Sequence, residues 1–201
     1  RGITRLRRRN FGVPERRWMM VASTAACTPA PAVAHPGGAQ IIAAIKAAGV
    51  REIVALPDIV TSEGLLWPIS CDADFRLTRI CKEDEGVSIC AAMSYNGTRA
   101  VLMMQQTGLM DSLNAIRAIG MDYELPVVMM VGLQGKEPHL RPEESAAYGV
   151  RIVRPVLDAM QISHSLIEAP EDVDHIPQAI MAAYTASRPH IFLIGRSPEA
   201  P

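Results

Sequence analysis

From residue 39 onward, short apolar runs alternate with stretches whose apolar residues recur at helical spacing, and polar or turn residues separate the two. AQIIAAIKAAG (Ala39 to Gly49) predicts a helix closed by its glycine. EIVAL (Glu52 to Leu56) predicts a short strand that stops at Pro57-Asp58, because Pro57 has no N–H to give to a ladder; Asp58 is left at the strand mouth. IVTSEGLLWPI predicts a helix entering from Thr61-Ser62 and stopping before Pro68, with Trp67 as a core or interface anchor. FRLTRI (Phe75 to Ile80) alternates as a half-buried strand does. The acidic patch Lys82-Glu83-Asp84-Glu85-Gly86 then opens a helix, VSICAAMSY, whose small residues let it lie close to a sheet.

AVLMM (Ala100 to Met104) has the length of a buried parallel strand, and ends in the polar turn Gln105-Gln106-Thr107-Gly108 ahead of a helix over Leu109 to Gly120. PVVMMVG (Pro126 to Gly132) predicts a second buried strand, followed by the polar loop LQGKEPHLRPEE. Helices over Val150 to Met160 and Val173 to Ser187 enclose a SHSLIEA strand; HIFLIG (His190 to Gly195) closes the sheet and SPEAP is a tail. Such alternation with short connections predicts an α/β fold: three layers, αβα, around a mostly parallel central sheet. Strand C-termini and helix starts then face one crevice, where open α/β sheets bind ligands.

Composition sharpens this picture at the N-terminus. The chain has 201 residues, 49% hydrophobic but only 4% aromatic, so its core is aliphatic and methionine-rich. The net charge of −1 hides an asymmetry: residues 1–20 carry seven arginines and one acid, leaving the body with 13 basic and 20 acidic residues. A body of net −7 offers no broad basic face for nucleic acid. Residues 1–37 read as a separate basic and Ala/Pro-rich extension, expected to be disordered, ahead of one domain over 38–197 and a tail over 198–201. Three origins compete for the arginines: sequence upstream of a true start at Met19 or Met20, an export signal around Arg8-Arg9, or an arm for an anionic surface. The first is preferred.

No run reaches the ~18 apolar residues of a membrane helix, and a cytoplasmic protein is expected. Cys27, Cys71, Cys81 and Cys90 lack zinc-ligand spacing and read as free thiols.

Three carboxylates in the first turn of a helix are ordinarily explained by the macrodipole, worth about 0.3–1 kcal/mol each. The wider string says more. EDEGVSICAAMSY, then VLMMQQTGLMDSLNAI, then LPVVMMVGLQGKEP, in that order, resemble the pyrimidine-binding domain of thiamine-diphosphate-dependent decarboxylases of the sulfopyruvate and phosphonopyruvate group. The resemblance covers about Gln40 to Ser197.

It implies that a glutamate nine residues before a Gly-Tyr pair hydrogen-bonds the cofactor's pyrimidine nitrogen. Glu85 stands nine before Ser94-Tyr95, ahead of Asp84 and Glu83 as candidates, with serine replacing the usual glycine. It further implies that Pro57 and Asp58 lie near cofactor and substrate, Asp58 with a part in proton transfer; a turn-stabilising Asp58 is an equal alternative. Gln106, Thr107 and Gly108 would approach the aminopyrimidine, with helix capping as the competing role. Lys136, His139 and Arg141 are tentative contacts for an anionic substrate. In this family Mg²⁺ and the diphosphate are held by a Gly-Asp-Gly motif that this chain lacks. The resemblance therefore implies a separate beta subunit carrying that domain, a hetero-oligomer, and a small 2-oxo acid as substrate. A carboligase or lyase subunit and a non-catalytic cofactor-binding or regulatory module remain as alternatives.

Overall fold

The computed structural model describes residues 34–201. Six strands form one sheet: β1 (Glu52–Ala55), β2 (Arg76–Arg79), β3 (Ala100–Gln105), β4 (Val128–Gly132), β5 (Ser163–Ile167) and β6 (His190–Ile194). Their order is β2-β1-β3-β4-β6-β5 and every pairing is parallel. The expected three-layer α/β fold is what forms.

Period-2 side chains divide the core. Ile53, Val101, Met103, Val128, Met130 and Phe192 point to one face, under α1 (Gly38–Ala47), the segment 62–70 and α8 (Ile176–Ala186). Val54, Leu102, Met104, Met129, Val131 and Leu193 point to the other, under α3 (Glu83–Tyr95) and the helical segments between residues 106 and 159. The central strands β3 and β4 are buried on both faces, which is why they read as unbroken apolar runs. β2 is an edge strand carrying arginines, a common way to discourage further pairing.

Several boundaries depart from expectation. Helix does not stop at Pro68: a π-helical turn, Ser62–Leu66, runs into α2 (Trp67–Ser70), with the proline in the first turn, where a missing N–H costs nothing. Trp67 is 72% exposed, so it is no core anchor. The helix expected from Leu109 begins at Gln106 and comes in three pieces, α4 (Gln106–Asp111), α5 (Leu113–Ala115) and a π-helical stretch, Ile116–Asp122. Ile152 interrupts the next helix, giving α6 (Tyr148–Arg151) and α7 (Val153–Ala159).

The tail is not loose. Glu199 bridges to Gly37, its N–H donates to the Pro36 carbonyl at 2.9 Å, and its own carbonyl accepts the Gly38 N–H at 2.8 Å. Residues 34–37 thus join the folded body; the remainder of the basic extension, with Cys27 and Arg8-Arg9, lies outside the described residues. Among the described residues, no helix is long and apolar enough to cross a membrane.

Gly64 permits the tail's approach: a Cβ there would overlap the Pro198 carbonyl oxygen, which is backbone and cannot swing aside. Gly64→Ala should lower stability by about 1–3 kcal/mol in urea unfolding, and should expose the C-terminus to carboxypeptidase.

His190 is buried with each ring nitrogen on a serine, Nδ1 to Ser163 Oγ at 2.9 Å and Nε2 to Ser165 Oγ at 3.2 Å. Burial, then the neighbouring His175 and His164, push its pKa down to about 4. The unfolded chain therefore binds the proton first, so this stability is complete above about pH 6.5 and is lost as pH falls toward 4. The loss should be on the order of 2–3 kcal/mol, measured as unfolding free energy at pH 7 against pH 4.5. His190→Gln should flatten that slope.

Candidate active site

All six strands end on one edge, and the segments that leave it carry the candidate residues. Strand order reverses between β1 and β3, where α/β sheets open a crevice. A second opening lies between β4 and β6, because the chain runs out to edge strand β5 before returning.

Asp58, just past β1, is buried. Its Oδ1 accepts the Val60 N–H at 2.7 Å and the Thr61 N–H at 3.0 Å, and its Oδ2 accepts the Thr61 hydroxyl. Burial raises its pKa, and the Thr61 and Val60 hydrogen bonds oppose the rise. Every described polar contact of this carboxylate is local, so it shapes the turn leading into the π-helical segment. Pro57 is exposed beside it.

Gln106 is also committed locally. It is 5% exposed, donates through Nε2 to the Gln134 carbonyl at 3.0 Å, and accepts the Gln134 N–H at 2.9 Å. This reciprocal pair ties the end of β3 to the end of β4. Thr107 is exposed and takes a 3.0 Å hydrogen bond from Gln105 Nε2. Gln105, read from the sequence as part of the same polar turn, is the last residue of β3 and stands beside Thr107 at the rim.

The acidic patch spreads its three carboxylates apart. Gly86, Val87, Cys90 and Ala91 make the buried face of α3, and Glu83 continues that face to the sheet edge. The Glu83 carboxylate lies where a Cβ on Gly108 would be. Asp84 is paired with Lys82 at 2.9 Å, and Lys82 lies 3.4 Å from Asp111; the Lys82 hydrogen bond holds the Asp84 carboxyl below its usual range. Glu85 is exposed, on the outward stripe of α3 with Ser88, Ala92 and Tyr95, and makes no hydrogen bond or ion pair among the described residues.

The loop after β4 divides its charges differently from expectation. Lys136 is wholly buried, ion-paired with Glu168 and donating to the Glu137 carbonyl at 3.0 Å. Arg141 is exposed and paired with Glu144 at 3.0 Å, which raises its pKa further. His139 is exposed. The three do not converge on one point of the crevice through any described contact.

One packing device recurs along the edge. The carboxylates of Asp58, Glu83 and Glu168 each occupy the space that a Cβ would take on Gly132, Gly108 and Gly195 respectively. Cys90 is buried and its thiol is pushed up to about 12, so it is inert at neutral pH.

No family model matches the chain. The sulfopyruvate decarboxylase of Methanosarcina acetivorans is 25% identical over 158 residues, covering 77% of this chain and 39% of that protein. The sulfopyruvate decarboxylase subunit alpha of Methanococcus maripaludis is 27% identical over 92 residues, 46% of this chain and 54% of the relative. This chain resembles the sulfopyruvate decarboxylases. A further subunit alpha, from Methanocaldococcus jannaschii, is 24% identical over 136 residues, 68% of this chain and 79% of the relative. The chain thus spans from about two-fifths to four-fifths of the sulfopyruvate decarboxylase chains it matches.

The Asp58–Gly132 contact yields a test. Asp58→Ala should cost about 1–2 kcal/mol, as loss of a capping carboxylate does, and Gly132→Ala should cost about 1–3 kcal/mol by displacing that carboxylate. Because both act on one contact, the double variant should lose clearly less than the sum, read from denaturant unfolding of the four proteins.

Proposed function

We propose that this chain is the pyrimidine-binding alpha subunit of a thiamine-diphosphate-dependent decarboxylase of small 2-oxo acids, working with a separate beta subunit. The observation that carries the reading is Glu85: an unpaired, outward carboxylate in the first turn of α3, at the C-terminal edge of the sheet, nine residues before Ser94-Tyr95.

The residues fit one half of the cofactor. An aminopyrimidine needs a carboxyl group at its ring nitrogen and hydrogen-bonding partners at its amino group; Glu85 would meet the first need and Thr107 with Gln105 the second. Gln106 and Gly108 act behind them, the former clamping the rim to Gln134 and the latter making room for Glu83. The magnesium and the diphosphate are assigned to the beta subunit, because the family's Gly-Asp-Gly motif is not in this sequence. Thiamine diphosphate, when bound, supplies the electron sink that accepts the bonding pair as CO₂ leaves.

Glu85 holds or passes the proton at the pyrimidine nitrogen, and does so efficiently only where water is excluded. On this chain alone it stands in water. A partner surface laid over the stripe Glu85, Ser88, Ala92 and Tyr95 would dry it, and Tyr95, 80% exposed, gives that surface an aromatic contact. The net chemistry converts a 2-oxo acid and one proton into an aldehyde and CO₂. Sulfopyruvate and phosphonopyruvate are the first substrates to try, since the relatives are named for the former.

Co-purification with a chain carrying Gly-Asp-Gly, followed by CO₂ assay on a panel of 2-oxo acids with cofactor and Mg²⁺, tests the reading. Glu85→Gln should lower kcat by about 10²-fold or more, whereas Glu83→Gln should change it less than about tenfold. Full turnover by Glu85→Gln would remove Glu85 from its role, and turnover by this chain without a partner would remove the split site.

A further inference from the structure

A cavity of about 380 Å³ lies over the ends of β4 and β6, away from Glu85 and Thr107. Loops after three strands wall it. Ile59, Val60, Leu133 and Pro138 give it an apolar side; Arg196, Gln134 and Ser197 give it a polar one.

Arg196 is the unusual member. Its guanidinium reaches only backbone carbonyls: Nη2 donates to Pro138 at 2.8 Å, and Nη1 to Glu168 at 3.4 Å and Ala34 at 3.5 Å. Its Nε is buried without a hydrogen-bond partner. The other cation on the cavity wall, Lys136, is already neutralised by Glu168. Neutral carbonyls fix the direction of a guanidinium but leave its charge uncompensated, and a half-apolar wall weakens the screening of that charge. The side chains of Gln134 and Ser197 make no hydrogen bond among the described residues and stand as further donors at the rim. Free donors, one fixed unpaired cation and an apolar wall together describe a receptor for an oxyanion carried on a short carbon chain.

We infer that this cavity binds the sulfonate, phosphonate or carboxylate head of a small organic acid, with Arg196 as its charge anchor and the Ile59–Val60 wall against its carbon. That the head is the far acid group of the decarboxylated substrate rests on the decarboxylase reading; binding itself does not. The loop carrying Ile59 and Val60 is held by Asp58, and Gln134 by Gln106, so the cavity wall and the crevice rim share the same two braces.

The test uses the full chain without partner or cofactor. Methylphosphonate is titrated by ³¹P line broadening and by shift in melting temperature, with inorganic phosphate and methanesulfonate as comparison and competitor. Saturable methylphosphonate binding is expected, weakened by salt, displaced by methanesulfonate, and tighter than inorganic phosphate. Arg196→Gln should weaken it at least about tenfold. Since Arg196 also braces three carbonyls, Ser197→Glu is the second variant: it leaves the guanidinium in place, sets a carboxylate at the mouth, and should weaken binding to a similar degree.

Absence of saturable binding at tens of millimolar, or unchanged binding by Ser197→Glu and a folded Arg196→Gln, would overturn the inference. Phosphate binding as tight as methylphosphonate would overturn its organic-acid part. Decarboxylation without such binding sinks this inference alone, while binding without decarboxylation by the assembled enzyme counts against the proposed function alone.

Discussion

A parallel sheet gathers every strand's C-terminus on one edge, and there the ladder can no longer satisfy the chain's polar groups. This protein meets that constraint with carboxylates seated on glycines. Asp58 rests on Gly132, Glu83 on Gly108 and Glu168 on Gly195, so each acid touches the backbone of a different strand or of the helix following one. A side chain at any of the three glycines would push a charged group out of its seat. The edge is therefore acidic and closely packed at these three points. Lys136, buried against Glu168, and the Gln106–Gln134 amide pair complete the same framework.

Much of the fold was legible because the sheet is buried on both faces. AVLMM and VVMMV have no polar side chain to place, and only a central parallel strand accommodates such runs at this length. Legibility failed where local rules were overridden by position. Pro68 looked like a stop but falls in the first turn of a helix, where proline is harmless. Gln105 to Gly108 looked like a turn because of its polarity; in fact β3 and α4 meet there with no intervening loop, so the polarity belongs to the rim rather than to a connection. SPEAP looked like a free tail because nothing in five residues announces a distant glycine that lets a backbone approach.

The directions of the candidate site residues were not legible in the sequence. The family resemblance points to Glu85, but helical geometry puts Glu83 on the face toward the sheet and Glu85 on the face away from it. Gln106 was a reasonable contact until its amide proved to be spent on Gln134. Lys136, expected as a tentative substrate contact, is spent on Glu168, which comes from another part of the chain, and no local pattern links the two. Arg196 escaped notice for a similar reason: its surroundings come from Ala34, Pro138 and Glu168, three segments far apart in sequence.

The pairing of Gly37 with Glu199 brings both ends of the folded body to one corner, and His35 and Ser197 from those ends also line the cavity over β4 and β6. Segments 34–37 and 197–199 of the folded body therefore leave it side by side at the cavity mouth, and a short peptide joining Pro201 to Ala34 would close that body into a ring. New termini could then be opened at Gly97, where the chain turns in open space on the opposite side of α3 from its acidic start.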